Sequence, residues 1–245
     1  MASFDLPEWN GLLTAAHVWH LAPDSLTAEV LQRWRLVWFD GAELAQLDRL
    51  SSERLRNARL AARGLLRVVL SHYTGIEPGA WMFVAGVQGK PGIAGPAGFE
   101  SLQFNLTHTE ALVVCAVSRT GEVGVDAEET SRAVDIDQVA RHFFSLAEQK
   151  RLAELPNERR TAFFFEQWVL KEAYLKGLGT GLAQSPEDFT IGRSDDGQPL
   201  NCGIWQLALA RPTPRHVAAV AIHPRGNEPI RVEWREADGL VARLM

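Results

Sequence analysis

Apolar positions recur along this chain in two rhythms, and together they predict its elements. Between residues 53 and 73, Leu55, Leu60, Leu65, Leu66, Val69 and Leu70 fall at helical spacing. Arg54, Arg56, Arg59, Arg63 and Arg67 occupy the other faces, and Gly75 ends the helix. A second long helix follows Asn157 and carries Phe163, Phe164 and Phe165 in succession before WVLKEAYLK. Apolar side chains on every side predict a mostly buried helix. Shorter helical stretches surround 26–34, with Asp24 and Ser25 as expected caps, and 42–50 and 136–144. Another, ending before Pro156, opens on a Ser145–Glu148 capping box. Alternation or short apolar runs predict strands at 17–21, 81–84, 111–118, 189–192, 204–210, 216–223 and 230–235. A further strand leads into a polar break at 105–109, and 89–98 reads as a rigid Gly/Pro loop. Thr120 and Gly121 predict a turn that returns EVGVDAEE as the second arm of a hairpin.

The runs ALVVCAVS and HVAAVAIHP come late in each half, which hints at two related α+β halves, 1–121 and 122–245, with a ligand cleft between them. Composition narrows the class. A net charge of -5 argues against a protein that coats nucleic acid, though it permits a local basic pocket. No apolar run reaches the roughly 20 residues of a membrane helix, and the N-terminus lacks the pattern of a secretory signal. A cytoplasmic protein with reduced Cys115 and Cys202 is the expectation. Lysine is scarce: Lys90, Lys150, Lys171 and Lys176 are the four among 25 basic residues.

Trp168, Glu172 and Lys176 lie at i, i+4 and i+8 on one stripe of the second long helix. Taken alone, Glu172 and Lys176 are most economically a structural pair. In EVGVDAEE, alternation points Asp126 and Glu128 to one face. Two such carboxylates form an exposed acidic strand end or hold a hard cation such as magnesium. Lys90 heads its glycine-flanked loop as a plausible phosphate contact. His108 sits in the polar break, where a satisfied loop histidine is the simpler reading. Five arginines on one helix are ordinarily solvated, but one or two can line an anion site.

These pieces together, GKP at 89–91, FNLTHT at 104–109, GVDAE at 124–128 and WVLKEAYLK with GLGTGL, resemble the 4'-phosphopantetheinyl transferase superfamily. The length resembles its larger, surfactin-synthetase-activator type. The resemblance implies an α+β fold of two pseudo-twofold-related halves, each a small antiparallel sheet against a long helix. It implies transfer of the phosphopantetheine arm of coenzyme A to a serine of an apo acyl or peptidyl carrier protein, releasing 3',5'-ADP. The N-terminal half is then expected to bind coenzyme A and the C-terminal half to hold magnesium and the catalytic helix. The family pattern assigns magnesium to Asp126, Glu128 and Glu172, and places Lys176 near the pyrophosphate. Lys90 and His108 match coenzyme A phosphate contacts. Arg63 is the best match for a further contact, with Arg59 and Arg67 as alternatives by register. Thr107 replaces the more usual serine of the FNxSH motif and keeps its hydroxyl, so the resemblance implies that its coenzyme A contact survives. A monomer is expected. Two other classes remain open on the residues alone: a magnesium-dependent nucleotide hydrolase, and a non-catalytic module that binds carrier proteins. No GxSxG elbow supports a serine hydrolase.

Overall fold

The protein is described by a computed structural model covering residues 7–86, 89–179, 184–194, 198, 201–226 and 228–243. Thr180 to Leu182 of the GLGTGL run lie outside the described residues. In chain order the elements begin with α1 (Pro7–Gly11), β1 (Ala15–Leu21), α2 (Ala28–Trp38), α3 (Gly41–Asp48) and α4 (Glu53–Thr74). Then come β2 (Met82–Ala85), β3 (Pro91–Gly95), β4 (Gln103–His108), β5 (Val113–Ser118) and β6 (Gly121–Glu129). The second half continues with α5 (Ile136–Phe143), α6 (Leu146–Glu154), α7 (Asn157–Leu178), β7 (Gln206–Thr213), β8 (His216–Pro224), β9 (Arg231–Glu236) and α8 (Asp238–Arg243).

Two 22-residue helices, α4 and α7, each cover the outer face of one sheet. The first sheet runs β4-β5-β1-β9 and the second β6-β8-β7. Strand periodicity builds three apolar layers from them. Val113, Cys115 and Val117 of β5 face α4, while Val114 and Ala116 face the other sheet. In β8, Val217, Ala219 and Ala221 face α7, and Ala218, Val220 and Ile222 meet the first sheet. Val123, Val125 and Ala127 of β6 complete that middle layer.

This stacking revises several expectations. The turn at Thr120–Gly121 does not close a hairpin: β6 pairs with β8, from Gly121 opposite Pro224 to Glu129 opposite His216. Its apolar face is buried when the two sheets stack, which a β5–β6 pair in one sheet would not achieve. The polar break at 105–109 is largely strand, because Asn105 and Thr107 find their partners in the other half. The loop at 89–98 contains β3, paired with β2, and residues 189–192 form no strand. Thr27, rather than Asp24 or Ser25, caps α2 by accepting from the Val30 amide. The unit 122–245 is not self-contained: β9 pairs parallel with β1, making the first sheet mixed, and Leu240 and Val241 of α8 enter the core under α4.

The seam between α7 and β6 is unusually close. A Cβ on Gly124 would lie 2.1 Å from the Ala173 carbonyl oxygen and 2.2 Å from the Gly177 amide nitrogen. Both are backbone atoms, so Gly124→Ala must push the helix off the strand. A destabilisation of about 1–3 kcal/mol is expected by urea unfolding, as for overpacking elsewhere. Gly239→Ala, with nothing within 4 Å of its added methyl, should be neutral.

Inside the first half, Tyr73 Oη lies 2.6 Å from His17 Nδ1 and accepts from Trp19 Nε1 at 2.9 Å. Burial, and then the Arg235 guanidinium, hold the His17 pKa down at about 4, against the opposing Glu233 and Glu8. The unfolded chain therefore binds more protons between about pH 6.5 and 4. Stability should fall as pH drops through that window. His17→Gln should flatten this part of the pH–stability curve, measured by urea titrations at stepped pH.

Candidate active site

Strand β6 and helix α7 face each other across the glycine seam, and their polar side chains meet at its open end. Side chains of β6 alternate, so Val125 and Ala127 enter the core while Asp126 and Glu128 look toward α7. Lys176 Nζ reaches Asp126 Oδ1 at 2.6 Å. Thr107 on β4 donates to the same oxygen at 3.0 Å and accepts from Lys176 Nζ at 3.3 Å. Asn105, two residues earlier, accepts the Val125 amide at 2.9 Å. Glu172 shares a cavity of about 780 Å³ with Asp126, Glu128, Thr107, His108 and Lys176. Leu106, Glu172 and Lys176 also line a more apolar cavity of about 360 Å³, which reaches Lys90, Phe143 and Leu175.

The charges here are not balanced by the side chains alone. Burial pushes the Glu128 carboxyl up to about 7, with the Asp126 charge adding to it and Arg132 and Lys176 opposing. Burial, and then Asp126, likewise raise Glu172. Asp126 Oδ2 is buried and has no hydrogen-bond partner among the described residues. A buried carboxylate oxygen without a partner is costly. A hard divalent cation would satisfy that oxygen and relieve the repulsion, so the donor set fits magnesium. Among the described residues, however, no group of three or more His, Cys, Asp or Glu side chains already converges as a ligand set. Asp126 is engaged by Lys176, and Glu128 by Arg132 at 3.5 Å.

The remaining expected positions divide. The pair read as Glu172–Lys176 is not an ion pair, since Lys176 turns to Asp126 instead. Lys90, just before β3, reaches the cleft but donates to the carbonyls of Gly177 at 2.9 Å and Val123 at 3.3 Å. His108 is held down to about 4 by burial first and then by Arg59, Lys176 and Arg63. It is a neutral ring set among cations. Arg63 donates to Gln46 Oε1 and the Glu43 carbonyl. Arg59 is exposed and is the strongest of the cations acting on His108. Arg67 is 2% exposed, pairs with Glu43 at 2.8 Å and lies between the Phe39 and Phe83 rings. Among the described residues, none of Arg59, Arg63 and Arg67 lines either of these two cavities. Trp168 stacks on Phe143 with centroids 4.4 Å apart and serves as a packing anchor.

Asn105 and Arg132 were not singled out from the sequence. The alternation Phe104, Leu106 against Asn105, Thr107 was the available signal for Asn105, since it is the pattern of a strand with one polar face. Nothing local marks Arg132.

A family model for the 4'-phosphopantetheinyl transferase superfamily matches residues 122–228, which hold β6, α7 and the carboxylates. The 4'-phosphopantetheinyl transferase HetI of Nostoc sp. is 32% identical over 224 residues, covering 91% of this chain and 94% of that protein. The 4'-phosphopantetheinyl transferase Sfp of Bacillus subtilis is 28% identical over 134 residues, covering 55% of this chain and 57% of its own. A holo-(acyl-carrier-protein) synthase from Bacillus anthracis in complex with CoA (3',5'-ADP) aligns over 43% of this chain and 96% of that one. Its identity is 22% and its TM-score 0.38. The chain belongs to the 4'-phosphopantetheinyl transferase superfamily. It transfers phosphopantetheine from coenzyme A to a carrier protein.

Proposed function

We propose that the cleft between β6 and α7 carries out this transfer on a serine of an acyl or peptidyl carrier protein, with magnesium held by Asp126, Glu128 and Glu172. The observation that carries the reading is the meeting of Asp126, Glu128, Glu172, Lys176, Thr107 and His108, from both halves, in one cavity. Magnesium, when bound, supplies charge neutralisation on the pyrophosphate oxygens as 3',5'-ADP departs.

Glu172, at the edge of the metal site, accepts the proton of the attacking serine, directly or through a water. Lys176 stabilises the departing phosphate, handing over its hold on Asp126. Thr107 keeps the Asp126 carboxylate oriented meanwhile. His108, with Arg59 and Arg63 close by, and Lys90 on the other side, contact the phosphates of coenzyme A. Lys90 must first leave its two carbonyls, which a phosphate would compensate. Arginines on the rim of an acidic enzyme favour an acidic carrier protein. The enzyme acts as a monomer in the cytoplasm on this reading.

Intact-protein mass spectrometry decides the matter. Apo carrier protein incubated with enzyme, coenzyme A and magnesium should gain one phosphopantetheine, and the gain should stop when the divalent cation is chelated. Release of 3',5'-ADP from coenzyme A with the carrier unmodified would make the protein a hydrolase instead.

A further inference from the structure

We infer that His216 is a positioning residue that ties the two edges of the cleft together through Thr109. The inference rests on the transfer reading of the cleft, because its consequence is measured there. His216 opens β8 in the second half, 3% exposed, and its backbone is opposite Glu129, the residue after Glu128. Its ring crosses to the first half, where Nε2 lies 3.1 Å from Thr109 Oγ1. Thr109 follows His108 directly and lines the cavity with it. One imidazole therefore joins the Glu128 edge to the His108 edge.

The hydrogen-bond count fixes the direction of each contact. Thr109 Oγ1 already accepts from the amides of Ala111 at 3.2 Å and Leu112 at 3.0 Å. A hydroxyl has two acceptor sites and one hydrogen, so that hydrogen goes to His216 Nε2. Nε2 is then the acceptor, and the ring proton sits on Nδ1. Nδ1 donates to Thr213 Oγ1 at 2.7 Å, so both ring nitrogens are satisfied by a single neutral tautomer. The Thr213 bond sets the ring plane, and the Thr109 bond transmits it across the cleft. Thr109 N also donates to the Leu112 carbonyl at 2.8 Å, so the turn that His216 holds is closed and stiff. Removing the Nε2 acceptor frees the turn that positions His108, while Asp126, Glu172 and Lys176 keep their own supports.

The test uses His216→Asn, His216→Gln, Thr109→Val and the double variant His216→Asn/Thr109→Val. Asparagine can replace Nδ1 toward Thr213 but offers nothing at Nε2, whereas glutamine places an acceptor oxygen near Nε2. His216→Asn should raise the KM for coenzyme A by about tenfold, the scale of one neutral hydrogen bond, with kcat within about twofold, and Thr109→Val, which also strips the acceptor from the Ala111 and Leu112 amides, should raise it at least as much. The double variant should be no worse than Thr109→Val, and His216→Gln should recover most of the loss seen in His216→Asn. Amide exchange at Ala111 and Leu112, measured without substrate, should quicken in His216→Asn and return toward normal in His216→Gln. Multiplying effects in the double variant, an unchanged KM in His216→Asn, or equal losses for Asn and Gln overturn the inference. If the wild-type protein shows no coenzyme A-dependent modification of carrier, the transfer reading fails by itself. Unchanged exchange in His216→Asn then overturns the strut independently.

Discussion

Glu172→Gln is expected to lower turnover by about 10²–10⁴-fold, the range that general acid–base groups supply, while the KM for coenzyme A changes little. The substitution keeps the shape of the side chain and removes its basicity and charge. Nothing in the packing of α7 depends on the Glu172 carboxylate: the helix is fixed by Phe164, Phe165, Val169, Leu170 and Ala173 on its buried side. The loss should therefore appear in kcat at full thermal stability. A second signature follows from the metal. With one carboxylate gone, the magnesium concentration for half-maximal activity should rise, and excess magnesium should restore only part of the rate. Steady-state kinetics with coenzyme A and magnesium varied separately would show both effects. Wild-type turnover in Glu172→Gln would remove Glu172 from the chemistry and leave it a bystander in the cavity wall.

The features behind that expectation were legible in sequence to different degrees. The i, i+4, i+8 stripe of α7 and the alternation of β6 are local periodicities, and the structure keeps both. Helix stops and caps were equally local: Gly75 ends α4 in a left-handed conformation, and Ser145 with Glu148 forms the capping box of α6. What failed was pairing. Alternation tells which face of β6 is apolar but not which strand lies beside it, so a turn at Thr120–Gly121 looked like a hairpin. The return of β9 to β1, more than 200 residues away in sequence as Ala15 opposite Arg231, has no local signature at all. Buried polar partners are hidden for the same reason. Arg67 looked like one arginine of five until Glu43 and two phenylalanines enclosed it. The site itself was partly readable because its residues come in compact motifs. The contacts that hold those motifs together, Thr107 to Asp126 and Asn105 to Val125, cross between the halves.

The same contrast separates Glu172 from its neighbour Lys171. Lys171→Met is expected to destabilise the fold by about 3–5 kcal/mol, the usual cost of stripping one partner from a buried ion pair. Lys171 is fully buried, 2.9 Å from Glu148 Oε2, and donates to the carbonyls of Phe189 at 2.6 Å and Pro186 at 2.7 Å. Burial lowers its pKa and the Glu148 charge resists that shift. Glu148 is itself 3% exposed and also accepts from Gln167, from the Ser145 amide and from the Ile191 amide. Methionine fills the space of the lysine stem but leaves a carboxylate without its cation and two carbonyls without their donor. One ion pair thus fastens α7, the start of α6 and the segment 186–191 together, immediately behind the residue that faces the cleft. Urea unfolding should show the loss in Lys171→Met, and Glu148→Gln/Lys171→Met should regain part of it, because the unpaired charge is gone. Below its melting temperature, Lys171→Met should retain far more turnover than Glu172→Gln. A Lys171→Met protein as stable as the wild type would mean that water reaches Glu148 and that the pair is not what fixes the helix.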